Sequence, residues 1–487
     1  VSISSELRLR ALNAVVTNEK AFPKAAKVKV FDPYTSELVA EVASCGLDEV
    51  NQACLLAEKA FKKGMPLYER IAVLERLASI LTTRGEDFAA LITLESGKCI
   101  RDSRIEVSRA IETVKFTAAE ARTVASRVIP TDVTEAGFGS LALEKRIPRG
   151  VVAAITPFNF PLNTVVHKVA PAIAVGCTVV LKPAHQTPLT ALLFQDCAFQ
   201  AGLGKDWLNV VTDGDGSAGA ALVENSIPSV ISFTGSSRVG WSIAAKSSRK
   251  KTLLELGSNA PVIVTESADI EDAAEKIVTG AYAAGGQSCI SVQRVFIHRS
   301  IYEKFQKIIV AKVGKLKASD PFDESTSVGP LITTEAAQRV NSWIDEAKAA
   351  GASILVGGSH GEKVNLPTIV ANAPLGTKLR EQEVFGPVFT MLVYDSFSEA
   401  INLANETIYG LQAGVFTHDL SQSLAAFESL VFGGVLINDI PTSRLDQQPY
   451  GGVSESGNTR EGPHYAMHEL TDVRMLRMRS TQVGTIQ

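Results

Sequence analysis

Residues 150–184 read GVVAAITPFNFPLNTVVHKVAPAIAVGCTVVLKPA, and the order of apolar runs, prolines and glycines in them decides what kind of fold to expect. β-branched runs open and close the stretch, at 150–155 and 178–181, and such runs bounded by turn residues are the mark of buried strands. The two apolar tracts, 151–166 and 169–181, are each shorter than the roughly 20 residues a membrane-spanning helix needs. Pro157, Pro161 and Pro171 also interrupt them, so buried strands and turns are expected here, not a membrane segment. Further runs at 208–211, 229–233 and 261–264 follow, with helical stretches between. Strands alternating with helices imply a parallel sheet. After Cys289 the pattern restarts at 294–297, 353–355, 388–393 and 413–416, separated by helical patterns near Tyr302 and Glu335, which predicts a second α/β unit.

The segment before this stretch is helix-rich. Val50, Cys54, Ala57 and Phe61 recur at helical spacing, and Asp48 sits where it favours the start of a helix. A second helical tract runs from Tyr68 toward Leu94 with a break around Gly85, and a third carries Glu106, Ile111 and Val114. The whole chain of 487 residues exceeds what one hydrophobic core usually organises, so two or more packed units are expected. Its formal net charge of -4 gives no general attraction to phosphate backbones or anionic lipids, which argues against nucleic acid and membrane surfaces as partners. Six cysteines without a CxxC pair argue against a disulfide framework and a structural metal, and a cytoplasmic setting is expected. The first residues, VSISSELRLR, carry charge where an export signal needs an apolar stretch.

Few positions carry a chemical signal on their own. Cys289 ends Gly-Gly-Gln-Ser-Cys, a turn that could present a thiol to backbone amides and so acidify it; the alternative is a small buried hydrophobe, the reading preferred for Cys54, Cys177 and Cys197. Glu255 in Leu-Leu-Glu-Leu-Gly is a carboxylate among apolar residues, suited to a general base, or else to a salt bridge with Lys250 or Lys251. Two glycine-bearing turns could face a phosphate. One is Gly214-Asp-Gly-Ser-Ala-Gly219, a literal GxGxxG without the acidic residue expected about 20 positions on, and the other is Phe233-Thr-Gly-Ser-Ser-Arg-Val-Gly240. Spacing does not choose between them. Asn159, in Thr-Pro-Phe-Asn-Phe-Pro, reads as a turn residue.

Taken in order, TPFNFPLN from Thr156, LKPA from Leu181, FTGSSRVG from Phe233, LELG from Leu254, GGQSC ending at Cys289, EVFGPV from Glu383 and PYGG from Pro449 resemble the aldehyde dehydrogenase superfamily across almost the whole chain. The resemblance implies an α/β fold with a Rossmann-like cofactor domain (1–127 and 146–256), a second α/β catalytic domain (257–463) and a small β oligomerisation flap (128–145 and 464–487). It implies Cys289 as nucleophile, Glu255 as general base and Asn159 as oxyanion donor. For an NAD or NADP cofactor it implies Thr156, Pro157 and Phe158, Lys182, Ala184 and His185, Gly219, Phe233, Thr234, Gly235, Ser236 and Val239, Leu256, Glu383 and Phe385. The Phe233 turn then faces the cofactor phosphates, Lys182 the adenosine ribose, Glu383 the nicotinamide ribose and Phe385 the nicotinamide.

Three departures stand out. His185 occupies the place where NAD-preferring relatives often carry a glutamate, which makes NADP plausible, and a protonated imidazole could pair with its 2′-phosphate. The family's PFGGxKxSG reads Pro449-Tyr-Gly-Gly-Val-Ser454-Glu-Ser-Gly457, with serine for lysine, and Gly257-Ser258-Asn259 replaces a common Gly-Gly pair. Arg444, in an R-x-D pattern with Asp446, looks like the branch acting on lactaldehyde, glyceraldehyde 3-phosphate and similar hydroxy- or phospho-aldehydes. Its guanidinium suits an anionic aldehyde unless Asp446 tethers it. Ser288 and Ile290, beside Cys289, are further substrate candidates. A homodimer or homotetramer is expected, with the two flap segments pairing across subunits. The alternatives are a CoA-acylating dehydrogenase, against which Glu255 counts, and a catalytically silent family member.

Overall fold

A computed structural model describes residues 3–124, 126–358, 361 and 364–479. Val151–Ile155 and Thr178–Lys182 are completely buried strands, which is why they read as continuous apolar runs and not as an alternation. The tract between them is a helix, Asn163–Val175, and not the turns and strands expected there. Pro171 sits inside it, and the helix stops at Gly176, whose left-handed φ of 95° lets its amide bond back to Ala172 and Ile173.

Five parallel strands form the first sheet, in the order Leu208–Val210, Thr178–Lys182, Val151–Ile155, Val230–Thr234, Lys251–Glu255. The order reverses direction between Val151–Ile155 and Val230–Thr234, and such a switch opens a crevice beyond the carboxyl ends of those strands. Lys251–Glu255 showed no strand signal in the sequence beyond the LLELG patch. The helices Leu47–Lys63, Leu67–Thr83, Gly85–Ser96 and Ile100–Glu120 match the expected N-terminal helices, including the break at Gly85. Two buried carboxylates from this bundle cap helices that follow sheet strands: Glu106 Oε1 accepts from the amides of Leu162 and Asn163 at 2.9 and 3.0 Å, and Glu95 accepts from those of Leu189 and Thr190 at 2.8 and 3.1 Å. Glu106 thereby fixes the loop that carries Asn159.

The second sheet has seven strands in the order Ser353–Val356, Thr368–Ala371, Val388–Tyr394, Val292–His298, Ala260–Val264, Gln412–Phe416, Gly434–Ile437. Residues 261–264, which looked like the last member of the first series, belong here, and the edge strand Ser353–Val356 runs antiparallel. Four residues, 256–259, carry the chain from the end of one sheet to the start of the other. The carboxyl ends of the first sheet therefore face the amino ends of the second.

A third, three-stranded antiparallel sheet joins Arg127–Ile129, Ser140–Pro148 and Thr471–Arg479, with Ser140–Pro148 in the middle. The two flap segments pair with each other within the chain; residues 480–487 of the expected tail lie outside the described residues. Val128, Val133, Phe138, Met475 and Leu476 are exposed on this sheet and its loop. Among the described residues no helix is long and apolar enough to cross a membrane.

Candidate active site

A cavity of about 480 Å³ lies where the two sheets meet, and nearly every residue singled out in the sequence lines it. The first strand delivers Thr156, Pro157, Phe158 and Asn159; the next delivers Lys182, Ala184 and His185; the fourth delivers Phe233, Thr234, Gly235, Ser236 and Val239; the last delivers Glu255 and Leu256. From the second sheet come Ser288, Cys289 and Ile290 ahead of one strand, Glu383 and Phe385 ahead of another, and Arg444 from the loop after the last. The hydroxyls of Thr156 and Thr234 are buried there without a hydrogen-bond partner among the described residues. Orphaned polar atoms on a cavity wall of this length are what a bound dinucleotide would satisfy.

Gly219 is the exception: it does not line the cavity. The physical reason is Asp213, whose Oδ2 accepts from the amides of Ala218 and Gly219 at 3.0 and 3.4 Å, while Oδ1 pairs with Lys182 Nζ at 2.7 Å. The amides of the GxGxxG turn are already capped by a buried carboxylate, and a phosphate would meet negative charge there. The Phe233 turn has no such cap, since Ser236 makes no side-chain bond to the helix Ser237–Lys246. Gly240 is needed on that helix because a Cβ would stand 2.4 Å from Leu256 Cδ2.

The turn before Cys289 uses its glycines fully. Ala284, Gly285 and Gly286 have φ of 51, 65 and 70°, and a Cβ on Gly286 would lie 2.1 Å from the Gly386 carbonyl oxygen. Asp102 Oδ2 accepts from Ala284 N at 2.9 Å, and Gln287 Oε1 accepts from Ile332 N at 3.0 Å. Asn159 Nδ2 donates to the Gln287 carbonyl at 2.7 Å, so the expected oxyanion donor is tied to the cysteine turn through one N–H and keeps a second. The turn does not acidify the thiol, contrary to expectation. Burial pushes Cys289 up to about 12, with Glu383 and Glu255 acting in the same direction and Tyr450 and Arg444 opposing. The other five cysteines are buried, as preferred for three of them.

Glu255 makes neither of the salt bridges considered for it. Lys251 Nζ pairs with Glu469 at 2.7 Å, and Lys250 Nζ donates to the Val223 carbonyl at 2.6 Å. Both Glu255 oxygens are buried without a hydrogen bond among the described residues. Burial and then the charge of Glu461 hold its pKa well above the usual carboxylate range, against Arg444, Lys168 and Arg460. The Ser454 to Gly457 segment props this strand: Leu256 N donates to Ser456 O at 3.0 Å, and a Cβ on Gly457 would lie 2.1 Å from Leu254 O. A Cβ on Gly451 would stand 2.7 Å from Glu255 Oε1.

Toward one end of the cavity, Glu383 Oε1 accepts from Ser258 N at 3.0 Å, and burial raises Glu383 to about 7. Phe385 meets Phe158 edge to face with ring centroids 5.7 Å apart. Burial and the neighbouring Lys182 lower the pKa of His185, which leaves the imidazole neutral near pH 7 and removes the charge that was to pair with a 2′-phosphate.

The opposite end holds residues that sequence reasoning missed. Arg444 is not tethered by Asp446. Its Nη2 lies 3.1 Å from Glu461 Oε2 and 3.1 Å from His167 Nε2, and its guanidinium stacks 3.7 Å from the Tyr450 ring centroid. Asp446 is held instead by Arg109, through Nη2 at 2.9 Å and Nε at 3.2 Å, with His167 at 3.1 Å. Lys168 Nζ pairs with Glu461 at 3.2 Å. Glu461 is driven down to about 2, where burial is outweighed by Lys168 and Arg444, and His167 is kept neutral by burial and Arg444. Arg109, Arg444 and Lys168 thus meet Asp446 and Glu461 in one connected network. The R-x-D pattern pointed at the loop, but nothing local to Arg109, on an ordinary amphipathic helix, announced a partner 337 positions away. Among the described residues no cluster of three metal-ligating side chains occurs.

The aldehyde dehydrogenase family pattern matches residues 22–476, and the chain belongs to that family, whose members use NAD or NADP. It is 42% identical over 452 residues to the 3-sulfolactaldehyde dehydrogenase of Priestia aryabhattai, covering 93% of this chain and 95% of that one. Among solved structures it resembles aldehyde dehydrogenase 21 from Physcomitrella patens in complex with the reaction product succinate (38% identity, TM-score 0.92, 94% and 96% of the two chains). It also resembles glyceraldehyde-3-phosphate dehydrogenase GapN from Methanocaldococcus jannaschii complexed with NADP (35% identity, TM-score 0.90, 94% and 100%).

Proposed function

We propose that the chain oxidises a small aldehyde carrying an anionic group to the corresponding carboxylic acid, with Cys289 as nucleophile, Glu255 as base and Asn159 as oxyanion donor. The observation that carries the substrate class is the pair of anchored guanidiniums, Arg109 and Arg444, lining the same cavity as Cys289. Arg444 Nε is a buried donor without a partner among the described residues, and guanidiniums on the wall suit an anionic substituent. The sulfonate named for one relative and the succinate bound to another support the same class.

Attack of the Cys289 sulfur on the carbonyl carbon puts negative charge on the aldehyde oxygen. The second N–H of Asn159 and the Cys289 amide receive it, and donors placed in advance in this way lower a barrier by about 3 to 4 kcal/mol each. A bound nicotinamide supplies the hydride acceptor. Thr156, Thr234, Lys182 and Glu383 fit such a group by lining the cavity with unsatisfied or ionic polar atoms. The thioester left on Cys289 is opened by a water from which Glu255 removes a proton. NADP is accepted because position 185 is a histidine and not a carboxylate that would repel the 2′-phosphate, and the nearby Asp213 is paired with Lys182; an imidazolium is not required.

The test is a panel of 3-sulfolactaldehyde, succinic semialdehyde, glyceraldehyde 3-phosphate, lactaldehyde and propanal against NAD and NADP, read as reduced-cofactor absorbance. Anionic aldehydes should exceed neutral ones in kcat/KM by about a hundredfold, and Arg109→Met should remove about tenfold or more of that preference. Equal efficiencies for propanal and the anionic aldehydes would sink the substrate class, and rejection of NADP would sink the cofactor reading.

The apolar flap supports a homodimer or homotetramer as the working form, since a patch of this kind is rarely left in water. Removing residues 471–487 should give monomer or insoluble protein by light scattering. An unchanged assembly would count against the flap as the contact.

A further inference from the structure

We propose that Tyr450 is a catalytic residue: its phenol O–H is the donor that holds the ionised Cys289 sulfur, a role that rests on reading Cys289 as the nucleophile. Tyr450 Oη lies 3.1 Å from Cys289 Sγ. While the thiol is intact either group can donate. Once its proton has passed to solvent only the phenol can, and the contact becomes a charge-assisted bond that exists in full only in the reactive form. Tyr450 keeps its own proton throughout, so the S–H bond alone is broken.

The surroundings give this bond its weight. Four groups act on the sulfur: Glu383 and Glu255, both acidic and both opposing ionisation, and Tyr450 and Arg444, which favour it. Of the four, Tyr450 is the one that reaches the sulfur with a hydrogen bond, while Arg444 acts from behind the phenol ring. A cation against the ring face draws electron density from the phenol and makes its O–H a better donor. The ring packs with Ile290 and Leu411 and is 3% exposed, so the hydroxyl is not what holds the side chain in place. The phenylalanine of the family's PFGG pattern would fill the same space and offer no donor.

Tyr450→Phe removes one oxygen and keeps the ring under Arg444. In the intact enzyme without cofactor, carboxamidomethylation of Cys289 by iodoacetamide, followed by mass spectrometry as pH is raised, reports ionisation directly. At any fixed pH below the thiol's ionisation the variant should be modified about tenfold more slowly, a displacement of the whole profile toward higher pH. Single-turnover hydride transfer should slow in parallel while cofactor affinity, circular dichroism and the KM for aldehyde stay near wild type. Superposable alkylation profiles for variant and wild type overturn the proposal, as does a variant whose slowed turnover comes with an unmoved profile. Retained turnover in Cys289→Ala would instead remove the reading beneath it, so the two failures are distinguishable.

Discussion

Cys289→Ala should abolish aldehyde oxidation, by about a thousandfold or more, while leaving cofactor binding within a factor of about two. The thiol is the one nucleophilic sulfur on the cavity wall; the other five are buried elsewhere. Alanine fits the site without strain, because the conformation of the turn is set by Ala284, Gly285, Gly286 and Gln287. The orphaned threonine hydroxyls, Lys182 and Glu383 are untouched. Reduced-cofactor absorbance at saturating aldehyde measures the first quantity and calorimetric titration with NADP the second. Turnover within about tenfold of wild type would exclude a covalent thioester on Cys289.

Glu255→Gln should separate the two halves of the reaction. Hydride transfer does not need a carboxylate, whereas opening the thioester needs a base, and an amide cannot serve as one. Rapid mixing with aldehyde and cofactor should show a burst of reduced cofactor close to one per site, followed by a steady rate lower by about a hundredfold or more. The pH profile gives a second reading. Because the buried carboxyl holds its proton well above the usual carboxylate range, the steady rate of the wild type should go on climbing with pH beyond that range, and the variant should lose that limb. A normal steady rate in the variant assigns the base elsewhere.

The strands at 178–182 and 388–394 were legible because both faces of each are covered, and continuous apolar runs follow directly from that. Lys251–Glu255 was not, since it begins with an exposed lysine and takes its edge from the Ser454 to Gly457 segment about two hundred positions away. In the site, Glu255 was legible through the place of LELG in the ordered set of motifs, since on its own a salt bridge with Lys250 or Lys251 explained it as well. Asp213 was not, and its capping of the GxGxxG turn is what makes that motif uninformative here. Arg109, His167 and Glu461 were invisible for a different reason: each lies in an unremarkable helix or loop, and their meaning comes from a network that only the folded chain assembles.

The unpartnered carboxyl of Glu255 also bears on how long the folded enzyme lasts. In the unfolded chain this group releases its proton near the ordinary glutamate value, whereas in the folded protein it keeps it to a much higher pH. Between those two points the folded state binds more protons than the unfolded one, so conformational stability is greatest on the acid side of the ordinary value and declines as pH rises toward the shifted one. Most carboxylates in ion pairs slope the other way. Glu255→Gln, which carries no such slope, should therefore gain in melting temperature on the wild type as the buffer is made more alkaline, by about 1 °C for each kcal/mol of linkage removed in a chain of this length. With Glu255 in the proposed role of base, the same missing partners that leave it able to take a proton would leave the protein less durable at the pH that favours that step, a trade of endurance for rate.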